Sequence, residues 1–457
     1  MGFATRVIVL KCRIGRLLKN VRDIDAFPPY AYALGLVCYN FMAAIVYNWV
    51  VVAISQQERE GTTTKGWFGF NSNIVISGFV SLFTDFSSQM AVPILPLFLT
   101  EVLGAPVWAL GLIEGLGTAV AGVLRIFSGW ISDRIGHRKC LMMAGYGISN
   151  LIKPLFGLSS VWDEVLSVRL LDRVGKGTRS APRDALLADV TTPQDRGKSF
   201  GFRRAMDALG AALGPLAAAL ILSLTHGDMR MVFFLTIIPG TIALIILSKL
   251  KDAHKNPISS TKSLPKLGFR HLHRDFKIFT LVSAMIAVAN FSEAFLVLRA
   301  RSIGLSLALI PVAYFIIGLV SSLLSVPAGL VSDRFGRKGV LIFGYAILAL
   351  TYLGFSLISR SIWVWPLMGL YGIFTASVEG NQKVYVSELV PKNERGSAFG
   401  TFNATVGVCA LPGGILAGVL WQIGGPRLPF AVAAAIVLLA MTTMGLFLRR
   451  HPSIPLS

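Results

Sequence analysis

Five cations, Arg169, Arg173, Lys176, Arg179 and Arg183, follow one another at steps of four, three, three and four within RLLDRVGKGTRSAPRDA. At 3.6 residues per turn they fall on one helical stripe, with Asp172 inside it and Asp184 at its flank. Such a stripe suits an anion, because guanidinium groups donate in planar pairs to a carboxylate or phosphate and an ammonium adds a point charge. Further charges stand in otherwise apolar surroundings: Asp85, Glu114, Arg125, Lys153, Asp207, Glu293, Glu379 and Lys383. A carboxyl in low dielectric takes up a proton more readily than in water, whereas one beside an arginine stays ionised and neutralises it. Asp85 and Glu114 are open to both readings, and Asp207 and Glu293 join them as candidates for proton coupling. Glu379 and Lys383, four apart, can pair along one helix, and both count with the stripe as candidates to line a cavity.

The elements that carry these residues are apolar. The chain of 457 residues is 54% hydrophobic and 14% charged, too apolar for an ordinary soluble surface. Runs long enough to cross a bilayer cover 74–100, 106–131, 140–160, 165–188, 199–224 and 230–249, then 277–298, 306–331, 339–358, 362–387, 397–423 and 427–448. A charge at bilayer depth is costly, so a charged stripe in the fourth run must face protein or a water-filled cavity. The net charge of +20 sits mostly in short segments between the runs, which argues for loops facing an anionic leaflet and against nucleic-acid binding. Residues 250–276 read as a basic cytoplasmic linker and 450–457 as a cytoplasmic tail; Arg299 and Arg301 are exceptions on the opposite side. Ala31 to Ile54 is free of charge and long enough to span as an extra helix, although the basic arm before it would then lie outside; an interfacial helix with a basic arm, or an upstream start-codon error, are the other readings. Cys12, Cys38, Cys140 and Cys409 show neither metal-ligand spacing nor a disulfide framework, and GKGTR lacks the GxxxxGK[ST] pattern.

One polar string occurs twice. GWISDRIGHRK begins at Gly129 and GLVSDRFGRK at Gly329, so Asp133 and Asp333 stand 200 residues apart, each closing a long apolar run. Gly129 and Gly329 are suited to close helix packing and Gly136 and Gly336 to sharp turns, while either aspartate can pair with a nearby arginine or accept from helix amides. Arg134, Arg138 and Lys139, with Arg334, Arg337 and Lys338, anchor one membrane face. The duplication runs further: offsetting RDALLADVTTPQDRGKSFGF by 199 places it on QKVYVSELVPKNERGSAFGT and pairs Asp189 with Glu388 and Asp195 with Glu394. Parallel halves related by an axis along the membrane normal follow from that register.

The GxxSDRxGxRK pattern after the second and eighth runs resembles the signature loop of the major facilitator superfamily, over roughly residues 73–449. The resemblance implies an all-α polytopic membrane protein of two six-helix bundles around a cavity that opens alternately to either side, with the loops as latches of the outward-facing state. RLLDRVGKG is similar to the RxxQGxG motif of the fourth span in drug/proton antiporters. Arg169 keeps the arginine position, but Asp172 replaces the glutamine and Arg173 a glycine, which argues against a lipophilic drug. The longer DRxGKGxRxxPRDA looks like a poorly characterised prokaryotic branch. Gly210, Gly214 and Pro215 partly match the Gly-Pro motif of antiporters, which tilts the expected direction toward export.

The expectation is therefore an N-terminal extension at 1–72, bundles at 73–249 and 277–449, and no catalytic, metal or cofactor site. The protein is expected to be a monomeric, proton-coupled secondary carrier of a small polar or anionic solute in a prokaryotic cytoplasmic membrane. A non-transporting sensor or assembly partner on the same scaffold is the rival reading.

Overall fold

The computed structural model describes residues 71–135, 138–191, 196–250, 274–390 and 395–447. The expected helix over 31–54, the turn at Gly136, the Asp195–Glu394 correspondence, most of the linker and the tail at 450–457 lie outside them, as do the side chains of Asp133 and Arg134 and the surroundings of Gly129.

Among the described residues the chain forms twelve long helical segments: α1 Ser72–Val102, α2 Val107–Ile135, α3 Arg138–Ile152, α4 Trp162–Asp189, α5 Arg196–Leu224, α6 Met229–Ser248, α7 Arg274–Ser302, α8 Ile310–Phe335, α9 Arg337–Leu357, α10 Val364–Glu388, α11 Arg395–Gly424 and α12 Leu428–Phe447. Ten of them have the length and apolarity to cross a membrane on those grounds alone. The two that fall short are α3, which ends after 15 residues where the chain tightens into a 3₁₀ turn at Lys153–Leu158, and α4, whose charged stripe lowers its apolarity.

Local chemistry explains where the segments start and bend. Asn71 caps α1 by accepting from the Asn73 amide at 2.9 Å, and Asp228 does the same for α6 toward Arg230. Around Pro93 and Pro96, α1 breaks after Ala91 and resumes as a short turn followed by a π turn at Phe98–Val102, as a proline-bearing helix does when carbonyls lose their donors. α7 likewise breaks at Asn290, and Ser292 caps its second part.

The first six helices meet the last six through α2 on α11 and α5 on α8, with a smaller contact between the ends of α1 and α7. Glycine makes the first of these possible. A Cβ on Gly111 would lie 1.9 Å from the Gly414 carbonyl oxygen, and one on Gly418 would lie 2.3 Å from the Trp108 Cα. Backbones packed this closely gain dispersion that lipid cannot match. Gly210 and Gly214 bring α5 equally close to Leu82, Phe86 and Gln89 of α1.

The opposite end is parted. In α8, residues 322–327 are exposed one after another, which covers every face of more than a turn, and a Cβ on Gly329 would meet nothing within 4 Å. Close packing by Gly329, expected from the sequence, is thus not what this arrangement shows, because α8 stands clear of its neighbours there. Gly336 does make the expected turn between α8 and α9, at φ +89°.

Candidate functional site

α4 lies between α2 and α3, and its glycines set the distance. Cβ atoms on Gly175 and Gly177 would lie 2.7 Å from the Gly145 oxygen of α3 and from Leu124 of α2, so the GKG string fits α4 tightly against both. Gly117 of α2 lies under the Arg173 side chain, leaving the guanidinium room to cross it.

The stripe then divides by neighbour. Toward α2, Arg169 Nη2 donates to both oxygens of Glu114 at 2.6 and 2.9 Å, and Arg173 Nη2 stands 3.6 Å from the same carboxylate. Asp172 faces α3, accepts from Ser149 Oγ at 2.7 Å and lies 3.8 Å from Arg169 Nη1. Lys153, only 2% exposed, donates to Asn150 Oδ1 at 2.9 Å and reaches Ser87 Oγ at 3.4 Å. Arg179 is buried with its guanidinium 4.4 Å from the centre of the Tyr146 ring. Arg183 pairs with Asp184 at 3.2 Å. Lys176 is exposed and makes no hydrogen bond or ion pair among the described residues. One stripe thus becomes a buried network, an aromatic anchor and one open ammonium.

Buried ions are tolerated when each finds partners. Arg169, Arg173 and Lys153 against Glu114 and Asp172 leave one unit of positive charge in the network. The Nε atoms of Arg169 and Arg173 are buried without a partner among the described residues.

The remaining candidate carboxyls differ in environment. Asp207 pairs with Arg203 along α5 at 2.8 Å. Glu293 accepts from the Tyr314 hydroxyl across the α7–α8 junction. Asp85 has no hydrogen bond or ion pair among the described residues, though it lies in the field of Lys153 and Lys176. Glu379 is not paired with Lys383. Its carboxylate stands 3.6 Å from Arg204 of α5, because α10 turns that residue toward the other half rather than along its own axis.

The duplicated loops show their register in ion pairs. Arg138 binds Asp189 in the first half, and Arg337 meets Glu388 at 3.4 Å in the second, each the 199-residue image of the other. Lys139 donates to the Ser248 carbonyl at 2.8 Å and Lys338 to that of Gly445 at 3.2 Å. Asp333 also pairs with Arg337, which donates to Ser332 at 2.9 Å, while Arg334 lies over the Phe335 ring.

Both cations that broke the charge rule have local partners. Arg299 is buried and donates to the carbonyls of Phe355 and Ile358 at 2.9 and 2.7 Å. Arg301 of α7 binds Glu101 of α1 at 2.7 Å and ties the halves at the closed end. That pair is partly exposed, so it contributes about 0–1 kcal/mol. Glu101→Gln is expected to leave thermal stability within about 2 °C, while raising exposure of the far side to a membrane-impermeant thiol reagent; unchanged labelling would remove this pair from gating.

Between α2, α7 and α11 a cavity of about 220 Å³ is lined by Glu114, Thr118, Asn290 and Ser292 among others. Asn290, Ser149, Asn150 and Tyr314 were not foreseen from the sequence. Their only signal was a neutral polar side chain in an apolar run.

Two bundles, a closed glycine-packed end, a parted end and a charged network between them are the geometry against which known proteins can be set. The Major Facilitator Superfamily profile matches residues 77–324 and 278–456, on both halves. This chain belongs to the major facilitator superfamily. It is 34% identical over 376 residues to an uncharacterised MFS-type transporter of Methanocaldococcus jannaschii, covering 81% of this chain and 93% of that one. It is 28% identical over 300 residues to a probable 4-methylmuconolactone transporter of Cupriavidus pinatubonensis, covering 62% and 69%. Among solved structures, a mutant of the nucleoside transporter NupG superposes with a TM-score of 0.71 at 14% identity, covering 82% of this chain and all of that one. As a member of this superfamily the chain is a multi-pass membrane transporter protein.

Proposed function

We propose that the protein is a proton-coupled secondary transporter that works by alternating access on a small polar or anionic solute. The observation that carries this reading is the buried network in which Arg169, Arg173 and Lys153 stand against only two carboxylates, Glu114 and Asp172, beside a cavity closed at the glycine-packed end. A net positive wall in low dielectric favours an anion or a strongly polar group. The parted end carries the duplicated basic loops, so the positive-inside tendency assigns it to the cytoplasm. Export is the proposed direction, on the motif of Gly210, Gly214 and Pro215, and the proposed setting is a prokaryotic cytoplasmic membrane with the monomer as the working unit. The named relative that handles a small organic compound is in keeping with a small solute.

Recognition rests on Arg173 more than on Arg169, because Arg169 is committed to Glu114 by two short hydrogen bonds. Arg173→Ala is expected to weaken binding of a small carboxylate at least about tenfold, roughly 1.4 kcal/mol, while the protein keeps its elution profile in detergent. Wild-type affinity in that variant would move Arg173 to a structural role.

For proton coupling, Glu293 and Asp85 are the proposed carriers, since among the described residues neither has a cation within ion-pair distance, whereas Glu114 and Asp207 do. Glu293→Gln is expected to abolish accumulation driven by a pH gradient and to leave solute exchange at equal pH. Retained accumulation would shift the role to Asp85.

A further inference from the structure

We propose that the cavity between α2, α7 and α11 is a carboxylate subsite in which Asn290 is the specificity-determining donor. It rests on the transporter reading above and names the class of solute: small monocarboxylates.

Asn290 stands where α7 breaks, between Ala289 and the cap residue Ser292, so its side chain leaves the helix at the level of the cavity. Two buried phenols fix it. Tyr352 of α9 and Tyr371 of α10 donate to its Oδ1 at 2.9 and 3.1 Å. Each hydroxyl is a donor in a dry setting, and this oxygen is the acceptor that both share. With Oδ1 so engaged, the amide presents its Nδ2 with both hydrogens still to be used. Converging two tyrosines from different helices on one amide sets its orientation before anything binds, and that lowers the ordering cost of recognition.

Ser292 adds a second donor to the lining: its oxygen accepts from the Ala294 amide at 3.4 Å, so its own hydrogen remains available, whereas Thr118 has committed its hydrogen to the Glu114 carbonyl at 2.9 Å. Across the space the charged lining residue, Glu114, is neutralised by Arg169 and Arg173, and the network behind it keeps one positive charge through Lys153. Ala287, Val406 and Ala410 supply apolar surface. Amide donors and a hydroxyl donor, with a neutralised Glu114 backed by a network of net positive charge and apolar side chains alongside, fit a single carboxylate on a short hydrocarbon body. At about 220 Å³ the space falls below that of pockets for drug-sized ligands, which limits the body to one ring or a short chain.

Binding of mandelate, its neutral amide mandelamide and the cation phenylglycinol to the purified full-length chain tests this, read by titration calorimetry. Mandelate is expected to bind at least about tenfold tighter than either analogue. Asn290→Asp keeps the shape but replaces two donors with a carboxylate, and is expected to lose mandelate affinity by about a hundredfold. The Tyr352→Phe, Tyr371→Phe double variant, which frees the amide to turn, is expected to lose about three- to tenfold while its affinity for phenylglycinol stays the same. Equal binding of the three compounds, no binding of mandelate, or wild-type mandelate affinity in both variants would overturn the proposal. Counterflow in proteoliposomes separates this from the transporter reading. Counterflow of the compounds without preference for mandelate would remove the subsite and keep the transporter, whereas mandelate binding without counterflow would do the reverse.

Discussion

Arg169→Ala is expected to lower the stability of the protein in detergent by about 3–5 kcal/mol and to abolish transport. The size follows from asymmetry. Removing one partner of a buried ion pair leaves the other charge without compensation, which costs far more than the intact pair contributes. Arg169 gives Glu114 two short hydrogen bonds and stands near Asp172, so its loss exposes two carboxylates to the cost at once. Arg173 at 3.6 Å is placed to recover only part of it. The partner variant provides the control: combining Arg169→Gln with Glu114→Gln is expected to regain at least about 2 kcal/mol over Arg169→Gln alone, because the pair is replaced by neutral groups that can still hydrogen-bond. Thermal unfolding of the single and double variants measures this, and purely additive losses would mean that the two residues do not act as a unit.

Gly111→Ala is expected to act on motion rather than charge. The added methyl would meet the Gly414 carbonyl oxygen at 1.9 Å, and neither group is the flexible end of a side chain. Two backbones have to separate by roughly 1 Å, and a displacement of that size at a working contact costs about a hundredfold in rate. The closed end of α2 and α11 would then be disfavoured, with the population shifted toward the conformation open on that side. Flux should fall about a hundredfold, and a cysteine placed at Ala410 in a background without Cys12, Cys38, Cys140 and Cys409 should label faster from the Glu101–Arg301 side. Wild-type flux with unchanged labelling would mean that this contact does not close the pathway.

Much of the fold was legible because its signals are local. Apolar length marked the twelve segments within a few residues, and the 199-residue register matched Asp189 with Glu388, though it did not show that Arg138 and Arg337 are the arginines they meet. Periodicity also put Arg169, Arg173, Lys176, Arg179 and Arg183 on one face. It does not say what lies on either side of that face, and α4 turns out to be wedged between α2 and α3, so the stripe is shared among Glu114, Ser149 through Asp172, and Tyr146. Glu379 went astray for a related reason: an i,i+4 partner is visible in sequence, whereas Arg204 on another helix is not. Asn290 gave no charge and no motif, and its meaning comes only from two tyrosines brought in from α9 and α10.

Counterflow of radiolabelled mandelate into proteoliposomes tests the central claim most directly, that this chain moves a small anion by alternating between two open states. The account predicts uptake stimulated by unlabelled mandelate inside, reduced at least about tenfold in Arg173→Ala. Uptake equal to that of protein-free liposomes, or equal in wild type and Arg173→Ala, would contradict it.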